Sequence, residues 1–300
     1  MISHRKGHDD LDNWIVHVYG CCFKARYIRL ECLLNRLFVL LLLLFSATSS
    51  FAGERILALA PHACEMLFAI GANKDIVGAV SYCDYPKEAG GLSRVGAYNR
   101  INVEAAIALH PTMAIVMDEQ TPGVEQLRDL GVAIVRSYPQ RVDEVFSDIR
   151  RIGKITGHAV QAEQVAHNLE ERLQFLETKV AHHHLNVFYE IWAEPLLTAG
   201  KHTFIHDVLK RIGLINVFGS LEQEAPRVNV ESVLHSKPQL VIVPSEKRDI
   251  SARTKYWQTW LGKDIQVITV NPDLLHRPGP RLLDGMEDLV RQLEILYVAG

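Results

Sequence analysis

From Arg55 onward the chain alternates short apolar runs with longer segments whose apolar residues recur every three or four positions. Arg55–Pro61 (RILALAP) reads as a buried strand, and His62–Ala72 (HACEMLFAIGA) as a helix stopped by Gly71. Ile76–Pro86 (IVGAVSYCDYP) is a second strand running into a loop, and Met113–Met117 (MAIVM) a third strand. Thr121–Gly131 (TPGVEQLRDLG) is predicted as a helix capped by Thr121 with Pro122 in its first turn, followed by a strand at Val132–Tyr138. That alternation predicts a parallel sheet with helices on both faces. It stops between Val142 and Val180, where no strand pattern occurs. There the apolar positions 162, 165, 166, 169, 173, 176 and 180 mark one face of a helix. At 1.5 Å per residue this helix is roughly 33 Å long, enough to join two lobes. Strand and helix then alternate again: Asn186–Trp192, Thr203–Gly213, Gln266–Val270, and a last helix over Arg281–Val298.

One sixteen-residue pattern occurs twice, as INVEAAIALHPTMAIV from Ile101 and VNVESVLHSKPQLVIV from Val228. The copies keep one register, with Glu104, Pro111 and Val116 each 127 positions before Glu231, Pro238 and Val243. Asn caps a helix, Glu sits near the positive end of its dipole, and Pro forces the chain out of the helix before a buried strand. A shared, gapless pattern predicts two related α/β lobes, Rossmann-like in layering. The expected division is 53–157 for the first lobe, 158–182 for the connecting helix and 183–300 for the second lobe.

Residues 1–52 stand apart. Arg36–Ala52 (RLFVLLLLLFSATSSFA) has a basic flank, an apolar core of about ten residues and a small-residue end, the pattern of an export signal cleaved after Ala52. A membrane span needs roughly 20 residues. The polar preface Met1–Tyr27 is long for such a signal, which suggests either a start site placed upstream or an extended leading region. Without residues 1–52, 26 basic and 31 acidic side chains remain, net −5 (32 less 6, 35 less 4). No basic stripe is left, so nucleic acid is not an expected partner. Apolar residues make up 48% and charged residues 22%, which fits a globular protein, and a monomer is expected. Cys64 and Cys83 remain after removal of the signal. They either pair or stay as two buried thiols.

The segments LAPHACEMLFAIGA, GAVSYCDYP, VGAYNRINVE, EPLLTAGKHTFIHDVL, INVFG and NPDLLHRPGPRLLDGM together resemble the helical-backbone substrate-binding proteins of ABC importers. The resemblance spans about Arg55 to Glu294 and is strongest to the cobalamin carriers of the Gram-negative periplasm. It implies a ligand cleft between the lobes, a corrinoid as transported cargo rather than cofactor, and a dimeric permease as partner. It also implies ligand contacts from Tyr82 and Tyr98 on one lobe and Trp192 on the other. Asp273, His276 and Arg277 would contribute from the loop before the last helix, with Pro61 and Met117 at strand ends. A corrin ring needs aromatic faces and a few polar tips. Two positions depart from the pattern: Met117 and Ala225 or Pro226 stand where the family carries Trp. Glu104 and Glu231 would dock on paired permease subunits, one per lobe; helix capping alone also accounts for them.

Haem or a ferric siderophore is the alternative cargo. Haem wants a Tyr or His axial ligand, for which Tyr82, Tyr98 and His276 qualify. A siderophore wants cleft arginines, for which Arg277, Arg227 and Arg100 qualify. The run His182–His184 reads as a solvated turn rather than a metal site. No nucleophile elbow, phosphate-binding loop or His-Glu-x-x-His motif is present. A chelatase-like or nitrogenase-like enzyme domain is a third reading, against which the export signal argues.

Overall fold

The computed structural model describes residues 53–180, 184–245 and 250–299. The export segment at 1–52 lies outside the described residues, as do His182 and His183 of the histidine run. The first lobe contains β1 (Ile56–Ala58), β2 (Ile76–Ala79), β3 (Gly96–Ala97), β4 (Arg100–Ile101), β5 (Met113–Val116) and β6 (Ala133–Arg136). Four of these form a parallel sheet in the order β2-β1-β5-β6, while β3 and β4 make a small antiparallel hairpin. The second lobe contains β7 (Asn186–Trp192), β8 (Leu197–Thr198), β9 (Ile215–Asn216), β10 (Leu240–Pro244) and β11 (Gln266–Val270). Its sheet runs β11-β10-β7-β8, with β9 also parallel to β7 and β8 antiparallel to it.

The central strands are buried, apart from Pro244 at the end of β10, because both their faces are covered. Their side chains sort by alternation. Ile56, Ala58, Met113 and Ile115 face one cluster, while Leu57, Leu59, Ala114 and Val116 face another. In the second sheet Leu240 and Ile242 join the first cluster, while Val241 and Val243 pack with Phe188, Phe218 and Trp257. One core therefore runs from sheet to sheet. It passes through the helices Val142–Ile155 and Ala159–Lys179, the latter burying Ala162, Ala166, Leu169, Leu173 and Leu176 at the expected spacing.

Ion pairs fix the 21-residue connecting helix at both ends. Arg150 grips Glu163 and Glu170, at 2.8 and 2.6 Å. Arg172 binds Asp284 and Glu287 of the last helix, Leu282–Ala299, at 2.7 and 2.8 Å. Arg211 of the helix Phe204–Arg211 reaches Glu177 at 2.8 Å and also pairs with Asp143 of the first lobe.

The duplicated pattern is conserved in geometry as well as in letters. Asn102 and Asn229 each cap a short helix, Val103–Ile107 and Val230–Ser236, by accepting from Ala105 and Ser232 backbone N–H groups. His110 and Lys237, 127 positions apart, both take the left-handed conformation with φ 48° just before Pro111 and Pro238. Pro disfavours the helical region in the residue before it, and the left-handed region is the exit used in both copies.

Three details differ from the pattern reading. The helix Val124–Asp129 is capped by Gly123 at φ 102°, not by Thr121, because Thr121–Val124 closes a turn through a 3.0 Å bond. A Cβ on Gly123 would sit 2.9 Å from Ile101. A helix at Ile250–Leu261 has no clean apolar stripe and buries only Trp257 fully, so periodicity does not reveal it. The second sheet is mixed rather than a copy of the first: the residues after β7 fold straight back as β8.

Candidate functional site

Ser81 follows β2 and donates from both its backbone N–H (2.9 Å) and its hydroxyl (3.0 Å) to the Gly96 carbonyl. These bonds tie the loop carrying Tyr82 to the β3–β4 hairpin carrying Tyr98. Gly96 has φ +122°, and a Cβ there would meet the Arg100 carbonyl at 2.5 Å, so the hairpin needs glycine at this point. The two tyrosine rings meet edge to face with centroids 5.9 Å apart. They remain 53% and 43% exposed, an apolar surface with no packing role of its own.

On the second lobe, Trp192 ends β7, is 38% exposed, and donates its indole N–H to the Glu194 carbonyl at 2.8 Å. Pro61 and Met117 are half-buried at the ends of β1 and β5, and Met117 packs against the main core. Asp273 is exposed in the short helix Pro272–Leu275, which Asn271 caps.

His276 and Arg277 are turned to internal work. His276 Nε2 lies 3.1 Å from the Tyr189 hydroxyl, and burial pushes its pKa down to about 4. Arg277, with 11% of its side chain exposed, donates Nη1 to Glu65 at 3.1 Å and to Asp84 at 2.7 Å, and Nη2 to Asp273 at 2.7 Å. Arg281 grips the same Glu65 through Nε at 2.9 Å and Nη2 at 2.5 Å, with its plane 3.8 Å from the Tyr85 ring. The Glu65 side chain is only 2% exposed, a buried acid compensated by two guanidinium groups. Burial pushes the Asp84 carboxyl up, but the hydrogen bonds and charge of Arg277 outweigh it and hold the group below its usual value. This network joins the first lobe (Glu65, Asp84) to the second (Asp273, Arg277, Arg281).

A second bridge joins the lobes through Glu224, just before the repeated pattern. It accepts from the Tyr138 hydroxyl and from Gln140 Nε2 (2.8 Å). Burial and Glu224 push the Tyr138 phenol up to about 12.

Sequence reasoning missed Glu65, Asp84, Arg281, Tyr138 and Glu224. One signal was legible: Glu65 is a lone acid in the otherwise apolar HACEMLFAI, which demands a buried cation somewhere else in the chain.

Glu104 and Glu231 are both exposed in the first turns of their helices. Cys64 and Cys83 have Cα atoms 5.8 Å apart with their sulfurs in bonding contact, linking the helix Pro61–Ala69 to the Tyr82 loop. Two surface cavities have linings that do not include Tyr82, Tyr98 or Trp192. One of about 340 Å³ is lined by Arg136, Tyr138 and Arg151, the other of about 430 Å³ by Arg100, Glu119 and Gln126. Among the described residues no cluster of His, Cys, Asp or Glu could hold a metal, and no helix is long and apolar enough to cross a membrane.

The chain is 32% identical over 250 residues to a vitamin B12-binding protein of Vibrio cholerae, covering 82% of this chain and 91% of that one. It is 31% identical over 265 residues to a vitamin B12-binding protein of Pectobacterium atrosepticum, covering 85% and 94%. Among solved structures it resembles the periplasmic vitamin B12-binding protein BtuF of Vibrio cholerae with TM-score 0.73 at 32% identity, over 81% of this chain and 97% of that one. The haem-binding protein HutB of the same organism shares the fold, with TM-score 0.70 at 20% identity, over 80% and 98%. Residues 56–258 match the model of the family described as periplasmic binding protein. By this match, and with its two α/β lobes and joining helix, the chain belongs to the periplasmic binding protein family.

Proposed function

We propose that this protein captures cobalamin in the periplasm and delivers it to the permease of an ABC importer. The observation that carries the reading is a set of exposed rings carried on each lobe: Tyr82 against Tyr98 on the first, and Trp192, at the end of β7, on the second. Flat macrocycles bind between such faces. Similarity to vitamin B12-binding relatives along most of the chain supports the same cargo. In this reading Pro61, Tyr82, Tyr98, Met117, Trp192 and Asp273 contact the ligand, while His276 and Arg277 brace the loop that carries Asp273. Glu104 and Glu231 meet the two permease subunits, and a Cys64–Cys83 disulfide holds the Tyr82 loop. Export would remove residues 1–52, leaving a monomeric carrier without catalytic activity.

The exposed phenols of Tyr82 and Tyr98 support haem as a second reading, since a phenolate can ligate iron. The siderophore reading loses support because Arg277 is saturated by three carboxylates. Titrating the purified protein with cyanocobalamin and, separately, haemin, followed by absorbance, decides. Saturable binding of cyanocobalamin at stoichiometric ratio is expected. Binding of haemin alone would replace the cargo.

A further inference from the structure

The polar end of the lobe junction is unusual in its charge balance. Two guanidinium groups, Arg277 and Arg281, face three carboxylates, Glu65, Asp84 and Asp273. Arg277 spends Nη1 on Glu65 and Asp84 and Nη2 on Asp84 and Asp273. Arg281 spends Nε and Nη2 on Glu65, and Tyr85 covers its face. Both cations are largely buried, so neither presents a free fork to an incoming anion. The groups left to the solvent are the carboxylates of Asp84 and Asp273, each about half exposed. Among the described residues Asp273 Oδ2 accepts no hydrogen bond, and Asp84 stays ionised because Arg277 lowers its pKa. Asp84 also lies two residues from Tyr82, on the loop that presents that ring.

A carboxylate accepts hydrogen bonds and repels other carboxylates. We propose that Asp84 and Asp273 are specificity-determining residues that select a macrocycle carrying neutral amide N–H donors and reject one carrying carboxylates. The proposal rests on the cobalamin reading and adds to it a physical basis for discriminating against anionic tetrapyrroles. Peripheral carboxamides donate to the two aspartates without disturbing the arginines. A carboxylate arm meets net negative charge, and it gains Arg277 only by displacing a carboxylate already paired with it. Charge-assisted hydrogen bonds to a desolvated ligand are stronger than neutral ones, which sets the scale of selection.

The experiment uses the full mature chain and three probes: cyanocobalamin, its separated monocarboxylic acid derivatives (one peripheral amide hydrolysed in each) and haemin. In the wild-type protein at least one derivative is expected to bind about tenfold more weakly than cyanocobalamin. In the double variant Asp84→Asn, Asp273→Asn that gap is expected to close, cyanocobalamin to bind more weakly, and haemin to bind more tightly. Equal wild-type affinity for cyanocobalamin and every derivative overturns the proposal, as does an undiminished gap in a folded double variant; either result leaves the cobalamin reading intact. Wild-type protein that binds no cyanocobalamin overturns the cobalamin reading itself, and the selectivity with it. If circular dichroism shows the double variant unfolded, the comparison of amide and carboxylate forms on the wild-type protein decides alone.

Discussion

Tyr82 and Trp192 keep apolar surface in solvent that a stable fold has no reason to expose, while their backbones are fixed by neighbours. The Ser81 bonds hold the first, and β7 with Glu194 holds the second. Replacing either by Ala should leave circular dichroism unchanged and weaken cobalamin binding by about 1–3 kcal/mol, the range for ring stacking in comparable sites. Unchanged calorimetric affinity in both variants would remove these residues from the site. Two histidines, His62 buried and His276 partly buried, carry a different prediction. His62 lies 3.0 Å from the Ser137 carbonyl and 2.9 Å from its hydroxyl, which donates in turn to Asp148. Burial lowers the pKa of His62, and of His276, from 6.5 to about 4. Between those values the unfolded chain binds protons that the folded chain refuses. Stability is therefore full above pH 6.5 and falls as pH drops toward 4, by about 3 kcal/mol at most for each residue. Urea unfolding at pH 7.5 and pH 4.5 measures the fall. In His62→Gln the fall should shrink, because glutamine does not titrate.

At the level of elements, the twin helix–turn–strand units present Glu104 and Glu231 in equivalent first turns, each behind an Asn whose side chain accepts a backbone N–H of that turn. The side-chain cap is thus supplied by Asn, and both carboxylates are exposed. Replacing both by Ala should leave cyanocobalamin affinity unchanged and reduce permease binding or uptake. Interface charge pairs couple by about 1.5–7 kcal/mol, so even one loss is measurable. Lys at both positions should be worse than Ala. Uptake at the wild-type rate in the double Ala variant would leave the repeat as shared ancestry only. These units were legible because Asn, Glu and Pro act locally, and the connecting helix because its buried positions repeat every three or four residues. The helix Ile250–Leu261 was not, since its packing rests on Trp257, whose indole donates to the buried Glu190 at 2.8 Å. Nor were the inter-lobe bridges: Arg277 and Glu65 are 212 positions apart, and nothing local pairs them. The sequence thus points to Asp273, His276 and Arg277 as a loop of interest. Only the fold reveals that Arg277 is consumed by acids from the other lobe.

For the whole molecule, the question is how far the lobes can move about a bound ligand. A hinge of extended strands opens by rotating a few backbone torsions, whereas a helix must bend or break hydrogen bonds to do so. Here the helix is also built into the core: Ala162 and Ala166 pack at one end, Leu173 and Leu176 at the other, in the same cluster as both sheets. Arg150 ties its first half to the preceding helix, and Arg172 ties it to the last helix. Two further bridges span the lobes directly, Glu65 with Arg277 and Arg281, and Glu224 with Tyr138 and Gln140. Opening the first would take both guanidinium groups from the buried Glu65 carboxylate, and breaking a buried pair costs about 3–5 kcal/mol. Ligand binding should therefore leave the radius of gyration in solution scattering nearly unchanged, with adjustment confined to side chains at the junction. Arg277→Ala and Arg281→Ala together should loosen this restraint and bring out a ligand-dependent contraction that the wild-type protein lacks. A large contraction already present in the wild-type protein would mean that the bridges yield to the ligand, and that the helix, not the ion pairs, sets whatever limit remains.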